Sequence, residues 1–327
     1  FLIEEIVRIL DLKEINPVSV SNESNLKDFY VKYAKHLKDV DEKLKNKWKK
    51  LEKIENVSKE DFKFDDVKIK FPVSATDFST YAYCPYKFYL DHIIGIEEIE
   101  EPDRTVISPA EKGTLIHNLL EKLYKKYPFE NLEEEIEELK KGFEKEIKEK
   151  LKMILPSFRP FEENKALKLL ERTIKFIYFD IERLEKENKK TEILERSYKN
   201  RYFSGKIDRA DKDCQNNFYI YDYKTGKSPE NLEKEIKNKY IQLVIYKEFL
   251  ENEGKNIREL GIIALNDETG KFVYSLEDET QINQLTTYLK NLLKQLKEKY
   301  FYPLKNDLCD YCSYKDFCLK DKILEEQ

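Results

Sequence analysis

The order of apolar patterns along this chain predicts an α/β protein of α+β type, with a mixed central β-sheet flanked by helices. Two observations predict it. Helical periodicities occupy most of the chain up to about residue 190, and strand-like alternation then runs from 192 to 224 before a helix, two further strands and a last helix. With 327 residues, 40% of them hydrophobic, one large core plus an appendage is expected. Charged residues reach 38%, Lys and Glu dominate, and only one Met and one Trp occur, a balance more typical of proteins from hot environments.

Residues 1–70 read as a helical, highly charged extension, in which the run KLKNKWKKLEK (43–53) suggests a solvated helix face. Composition shifts at Phe71, so the expected organisation is an extension over 1–70 and a second domain over 71–327 with a helical insert at about 128–190. In FPVSATDFSTYAYCPYKFYL (71–90), Ser74 and Thr76 offer helix caps and Pro85 must interrupt the helix just after Cys84. Helical patterns follow at 113–126, 131–152 and 161–189. EILERSYKNRYFSGKIDRAD, a polar turn at DKDCQNN and FYIYDYKTG then predict an antiparallel hairpin. Ser228 and Pro229 are expected to cap a helix reaching about Asn252, GIIAL and KFVYSL read as strands, and 279–299 reads as helix.

No run of 18 apolar residues and no signal-like opening segment occurs, so the expectation is a cytoplasmic protein without a membrane span. The chain opens at Phe1 rather than Met, which suggests part of a longer polypeptide. A net charge of -5 argues against a generally basic nucleic-acid coat but allows a local basic groove.

Side chains alternate along a strand, so in IYDYKTGKSP Asp222 and Lys224 share one face with Phe218 and Ile220, while Tyr219, Tyr221 and Tyr223 share the other. Three further features stand beside this pair: His117 in GTLIHNLLEKLY, Asp208 in GKIDRAD, and Gln242 with Tyr246 on one helix face in YIQLVIYKEF. Each has an ordinary reading alone. His117 lies at the edge of the stripe Leu115, Ile116, Leu119, Leu120 and Leu123, Asp208 can balance Lys206 and Arg209, and Gln242 and Tyr246 can form a hydrogen-bonded rim. Together they suit a hard divalent cation, since two carboxylates on neighbouring strands can converge on one ion and an imidazole can complete the site for manganese as well as magnesium. Such an ion polarises a phosphoryl oxygen and activates water, and Lys224 would stabilise the charge growing on the phosphate.

Five cysteines occur, and Cys309, Cys312 and Cys318 form a C-x2-C-x5-C cluster that points to metal ligation rather than disulfides. Cys84, beside its proline, is the candidate fourth thiolate, and Cys214 in the polar turn is a bystander. Spacing alone accepts either zinc or an iron-sulfur cluster.

Gly205, Lys206, Ile207 and Asp208, followed fourteen residues later by DYKTG, with GTLIH upstream and QLVIY downstream, resemble the PD-(D/E)XK nuclease superfamily in its RecB-like form over roughly residues 73–320. The resemblance implies a restriction-endonuclease-like core in which His117, Asp208, Asp222 and the Tyr223 carbonyl bind Mg2+ or Mn2+. It also implies Lys224 as the catalytic lysine, with Gln242 and Tyr246 helping to position it and the DNA backbone. Glu195 is a further candidate, for a second metal. The Cys-Pro at 84 paired with the C-terminal cluster is similar to the iron-sulfur staple of AddB-type helicase-nucleases and CRISPR-associated adaptation nucleases. That likeness implies a [4Fe-4S] cluster on Cys84, Cys309, Cys312 and Cys318, closing a loop of about 225 residues in a structural role. The activity it implies is an exonuclease acting on single-stranded DNA, with a helicase subunit or helicase domain as partner. DNA would approach along Lys206, Arg209 and Lys227. A CRISPR-associated adaptation nuclease and a non-catalytic DNA-binding domain are the alternatives.

Overall fold

The computed structural model describes residues 58–95, 104–315 and 318. Most of the expected N-terminal extension, including its lysine-rich run, lies outside them. The chain divides into two compact units, one of residues 1–70, 77–100 and 290–327 and one of residues 71–76 and 101–289.

The second unit is built on a six-stranded sheet: β1 (Val73–Ser74), β2 (Lys189–Lys199), β3 (Phe203–Asp213), β4 (Asn217–Lys224), β5 (Asn256–Ala264) and β6 (Val273–Leu276). Long β3 organises it. β2 runs antiparallel along one edge, while parallel β1 at Phe203–Ser204 and antiparallel β4 at Arg209–Lys212 share the other. β5 pairs parallel with β4 and β6 antiparallel with β5, so the sheet is mixed, as the alternation of hairpin and crossover connections predicts. β2 and β3 are two strands where the sequence suggested one long strand-like stretch. Asn200 makes the turn between them by accepting the N–H groups of Tyr202 and Phe203 on its side chain at 2.8 and 2.7 Å.

The helices of this unit are α3 (Pro109–Tyr124), α4 (Leu132–Leu151), α5 (Arg159–Lys186), α6 (Leu232–Asn238) and α7 (Gln242–Asn252). They follow α1 (Ala75–Tyr83) and α2 (Pro85–Phe88) and precede α8 (Glu279–Lys297). The Ser108 hydroxyl caps α3 by accepting the Glu111 N–H, the Ser108 N–H donates to the Glu111 carboxylate in return, and Pro109 occupies the first helical position. The expected single helix from Ser228 is two. Asn231 caps α6, Ser228 instead bonds Asp267, and the chain breaks at Lys239–Ile241 before α7. One core holds α3, α4 and α5 against the sheet, with Leu119, Leu120, Phe143, Phe176, Tyr221 and Tyr223 at its centre.

The first unit has an aromatic core. Phe64 stacks on Tyr89 with centroids 4.7 Å apart, Phe301 lies 5.2 Å from Tyr89, and the Tyr81 hydroxyl donates to the Tyr300 carbonyl at 2.8 Å. Residues 58–70 hold one 3-10 turn (Lys59–Phe62) rather than extended helix.

Candidate active site

The β3–β4 ladder ends at Arg209 opposite Tyr221, and beyond it Asp208 takes the place of the missing rung. Its Oδ2 accepts the Tyr223 N–H at 3.0 Å, so the carboxylate is fixed by the backbone of the strand that carries Asp222. His117, on the third turn of α3, sets Nε2 3.2 Å from the Tyr223 carbonyl and turns Nδ1 to Glu195 at 3.3 Å and Asp208 at 3.6 Å. Glu195 projects from β2 with φ of 47°, a left-handed backbone that a β-strand glutamate adopts only under strain. Ligand atoms of His117, Glu195 and Asp208 all lie within 4.8 Å of one another.

Alternation puts Asp222 and Lys224 on one face of β4, and the Lys224 ammonium lies 2.5 Å from Asp222 Oδ2. Gln242, at the start of α7, donates to Asp222 Oδ1 at 3.4 Å. One turn on, the Tyr246 ring lies where a β-carbon on Gly205 would come within 2.9 Å of it, so glycine at 205 makes room for this tyrosine. The Tyr246 hydroxyl meets the Lys206 backbone. Tyr240 lies outside the expected set, yet its ring centroid is 5.2 Å from Lys224 Nζ. Only its adjacency to the QLVIY motif could have signalled it.

The site is electrostatically unsettled. Burial, and then the charge of Asp222, pushes Asp208 up to about 7. Burial opposes the charged form of His117, but the close carboxylate of Glu195 and the charges of Asp208 and Asp222 overcome this and raise it. Lys224 is likewise raised because Asp222 outweighs the cost of burial. Glu195 is lowered, its burial offset by His117 and Lys206. Both Glu195 oxygens and Asp222 Oδ2 are buried without an aligned hydrogen-bond donor, although cations lie nearby. Oxygen atoms in that condition, with an imidazole and a carbonyl beside them, form the donor set that a hard divalent cation takes.

Arg209 corrects one expectation. It has no exposed surface, because alternation along β3 turns it to the opposite side from Asp208, and it cannot line a path for DNA. Lys206 is half exposed and ion-paired with Glu195, and Lys227 is exposed.

The cysteines belong to the first unit, apart from Cys214, which is exposed. Cys84 precedes α2 and is raised by burial, with Cys312 among its neighbours. Cys309 donates to the Leu304 carbonyl at 3.7 Å, and the Cys84 thiol also meets the Leu304 backbone. Cys318 is partly buried.

Among known proteins, a subunit of the ATP-dependent helicase/deoxyribonuclease of three Clostridium perfringens strains is 24% identical over 236 residues. The matched segment covers 62% of this chain and 20% of the relative, so the chain spans about a fifth of the length of the curated relatives it matches. A family model for the PD-(D/E)XK nuclease superfamily matches residues 72–319. That match takes in the mixed sheet and the helices that pack on it and covers most of the chain, so the chain belongs to the PD-(D/E)XK nuclease superfamily.

Proposed function

We propose that this chain is a metal-dependent deoxyribonuclease that removes nucleotides from the ends of single-stranded DNA, as the nuclease part of a cytoplasmic helicase-nuclease. The observation that carries the reading is the convergence of Asp208, Glu195 and His117, with the Asp222–Lys224 pair on the adjoining strand. Asp208, Asp222, His117 and the Tyr223 carbonyl would hold Mg2+ or Mn2+, and Glu195 is suited to a second ion. A divalent ion bound there supplies Lewis acidity toward a phosphoryl oxygen and an activated water near neutral pH.

The chain's own groups do the rest. Lys224 keeps its charge beside Asp222 and meets the negative charge that grows on the phosphate. Gln242 orients the Asp222 carboxylate, and Tyr246, seated against Gly205, holds α7 over β3. Lys206 offers a half-exposed ammonium to the DNA backbone.

The helicase setting is supported by the relatives' description as parts of an ATP-dependent helicase/deoxyribonuclease. Cys84, Cys309, Cys312 and Cys318 are proposed to carry a [4Fe-4S] cluster that staples the first unit. The reading is supported by the approach of Cys84 to Cys312 and by the shared Leu304 neighbour of Cys84 and Cys309.

The test is digestion of linear and covalently closed single-stranded DNA in Mn2+. Loss of the linear form with the circle intact is expected. Cleavage of both would make the enzyme an endonuclease, and cleavage of neither would overturn the reading. An anaerobic visible spectrum with iron, sulfide and zinc analysis decides the cluster: four irons per chain with matching sulfide are expected, and zinc alone would refute it.

A further inference from the structure

Behind the catalytic strands lies a closed ring of buried charges. Arg209 Nη1 donates to Asp180 Oδ2 at 2.7 Å, and its Nε donates to Asp211 Oδ1 at 2.7 Å. Arg183 Nη2 donates to Asp180 Oδ1 at 2.8 Å and to Asp211 Oδ2 at 2.7 Å, closing the ring. Two carboxylates and two guanidiniums cancel, and all four residues are buried.

The ring reaches each element that carries a candidate metal ligand. On α3, Tyr124 lies two turns beyond His117 and donates its hydroxyl to Asp180 at 2.5 Å. On β3, Arg209 is the residue after Asp208. On β4, the hydroxyls of Tyr223 and Tyr221, which flank Asp222, accept from Arg209 and Arg183 at 3.3 Å each. Thr191 of β2, the strand of Glu195, donates to Asp211 at 3.1 Å.

We infer that Asp180 of α5 is a remote positioning residue for the metal site, the hub through which α5 fixes the spacing of His117, Asp208 and the Tyr223 carbonyl; the inference rests on the function proposed above. Asp180 receives Tyr124, Arg183 and Arg209 together, so three of the ligand-bearing or bracing elements share one carboxylate. The Glu195 and Asp222 carboxylates in front carry buried oxygens without aligned donors, and a rigid support behind the strands keeps them in place.

The experiment is calorimetric titration of Mn2+ into the full chain, without DNA, alongside thermal unfolding in chelator. Tyr124→Phe removes one hydroxyl without disturbing the charge balance, and Asp180→Asn removes the hub. Tyr178→Phe, on the same helix but bonded to Glu133, is the control. Tyr124→Phe is expected to weaken Mn2+ about tenfold and Asp180→Asn by more, within the roughly 10- to 100-fold range of outer groups at metal sites. The control should match the wild type. Lower melting temperatures with unchanged Mn2+ affinity in Tyr124→Phe would overturn the inference and leave a purely structural ring. Absence of Mn2+ binding by the wild type would instead overturn the underlying metal reading. If Asp180→Asn does not fold, Tyr124→Phe still decides.

Discussion

The two faces of β3 and β4 bury charge in opposite ways. On one face Asp208, Asp222 and Glu195 crowd together, with buried oxygens that lack aligned donors and an Asp208 pushed up to about 7. On the other, one and three residues beyond Asp208, Arg209 and Asp211 sit in a neutral ring in which every carboxylate oxygen accepts from a guanidinium, and Asp211 is held below its usual range. Burial is common to both faces. What differs is closure: the rear ring is complete within the protein, whereas the front leaves carboxylate oxygens without aligned donors, as the proposed metal site would need.

Substitutions can break that contrast at either face. Asp222→Ala should have the largest effect, reducing nuclease turnover to background while the circular dichroism spectrum stays native. Retained digestion in Mn2+ would remove Asp222 from the site. Lys224→Ala should cost about 100- to 1000-fold in turnover with little change in calorimetric Mn2+ affinity. An equal loss in both would mean that the lysine supports the ligand instead of the reaction.

At the rear face, Arg209→Met leaves Asp180 and Asp211 with one guanidinium between them and should lower stability by about 3–5 kcal/mol in urea denaturation. A neutral result would show that the ring is not closed in solution. At the front, Asp208→Asn should do the reverse and stabilise the metal-free chain. Folded Asp208 keeps its proton up to about 7, but the unfolded carboxyl loses it near pH 4, so folding takes up a proton between those values. The wild-type contribution is greatest at low pH, declines as pH rises through this window and remains lost above it. The asparagine variant should therefore flatten the pH profile of melting in chelator and gain roughly 1–4 kcal/mol above pH 7. The smallest effect is expected of Gly205→Ala. Its added methyl meets Tyr246 and Ala75, and overpacking should cost about 1–3 kcal/mol.

Much of this arrangement was legible in the sequence because it is local. Period-two alternation alone puts Asp222 and Lys224 on one face, and the charged helical pattern at 131–152 became α4 at Leu132–Leu151. Asp208 and His117 were legible as candidates by motif. Their meeting was legible only through the family resemblance and not through periodicity, since it depends on the β3–β4 ladder stopping at Arg209 and Tyr221. The rear ring left no local sign. Asp180 stands 29 residues before Arg209, and nothing in GKIDRAD distinguishes a buried guanidinium from one that touches DNA. The turn at Asn200 was missed for a similar reason: it has neither glycine nor proline, and the side-chain oxygen and backbone N–H of one asparagine close it.

The backbone at Glu195 carries a cost of its own. Glycine would sit comfortably at its left-handed angle, yet would strip away the carboxylate. On the proposed reading of the site, endurance to heat and competence in turnover therefore pull this one codon in opposite directions. A laboratory screen that rewards only survival would gather glycine there and shed the carboxylate.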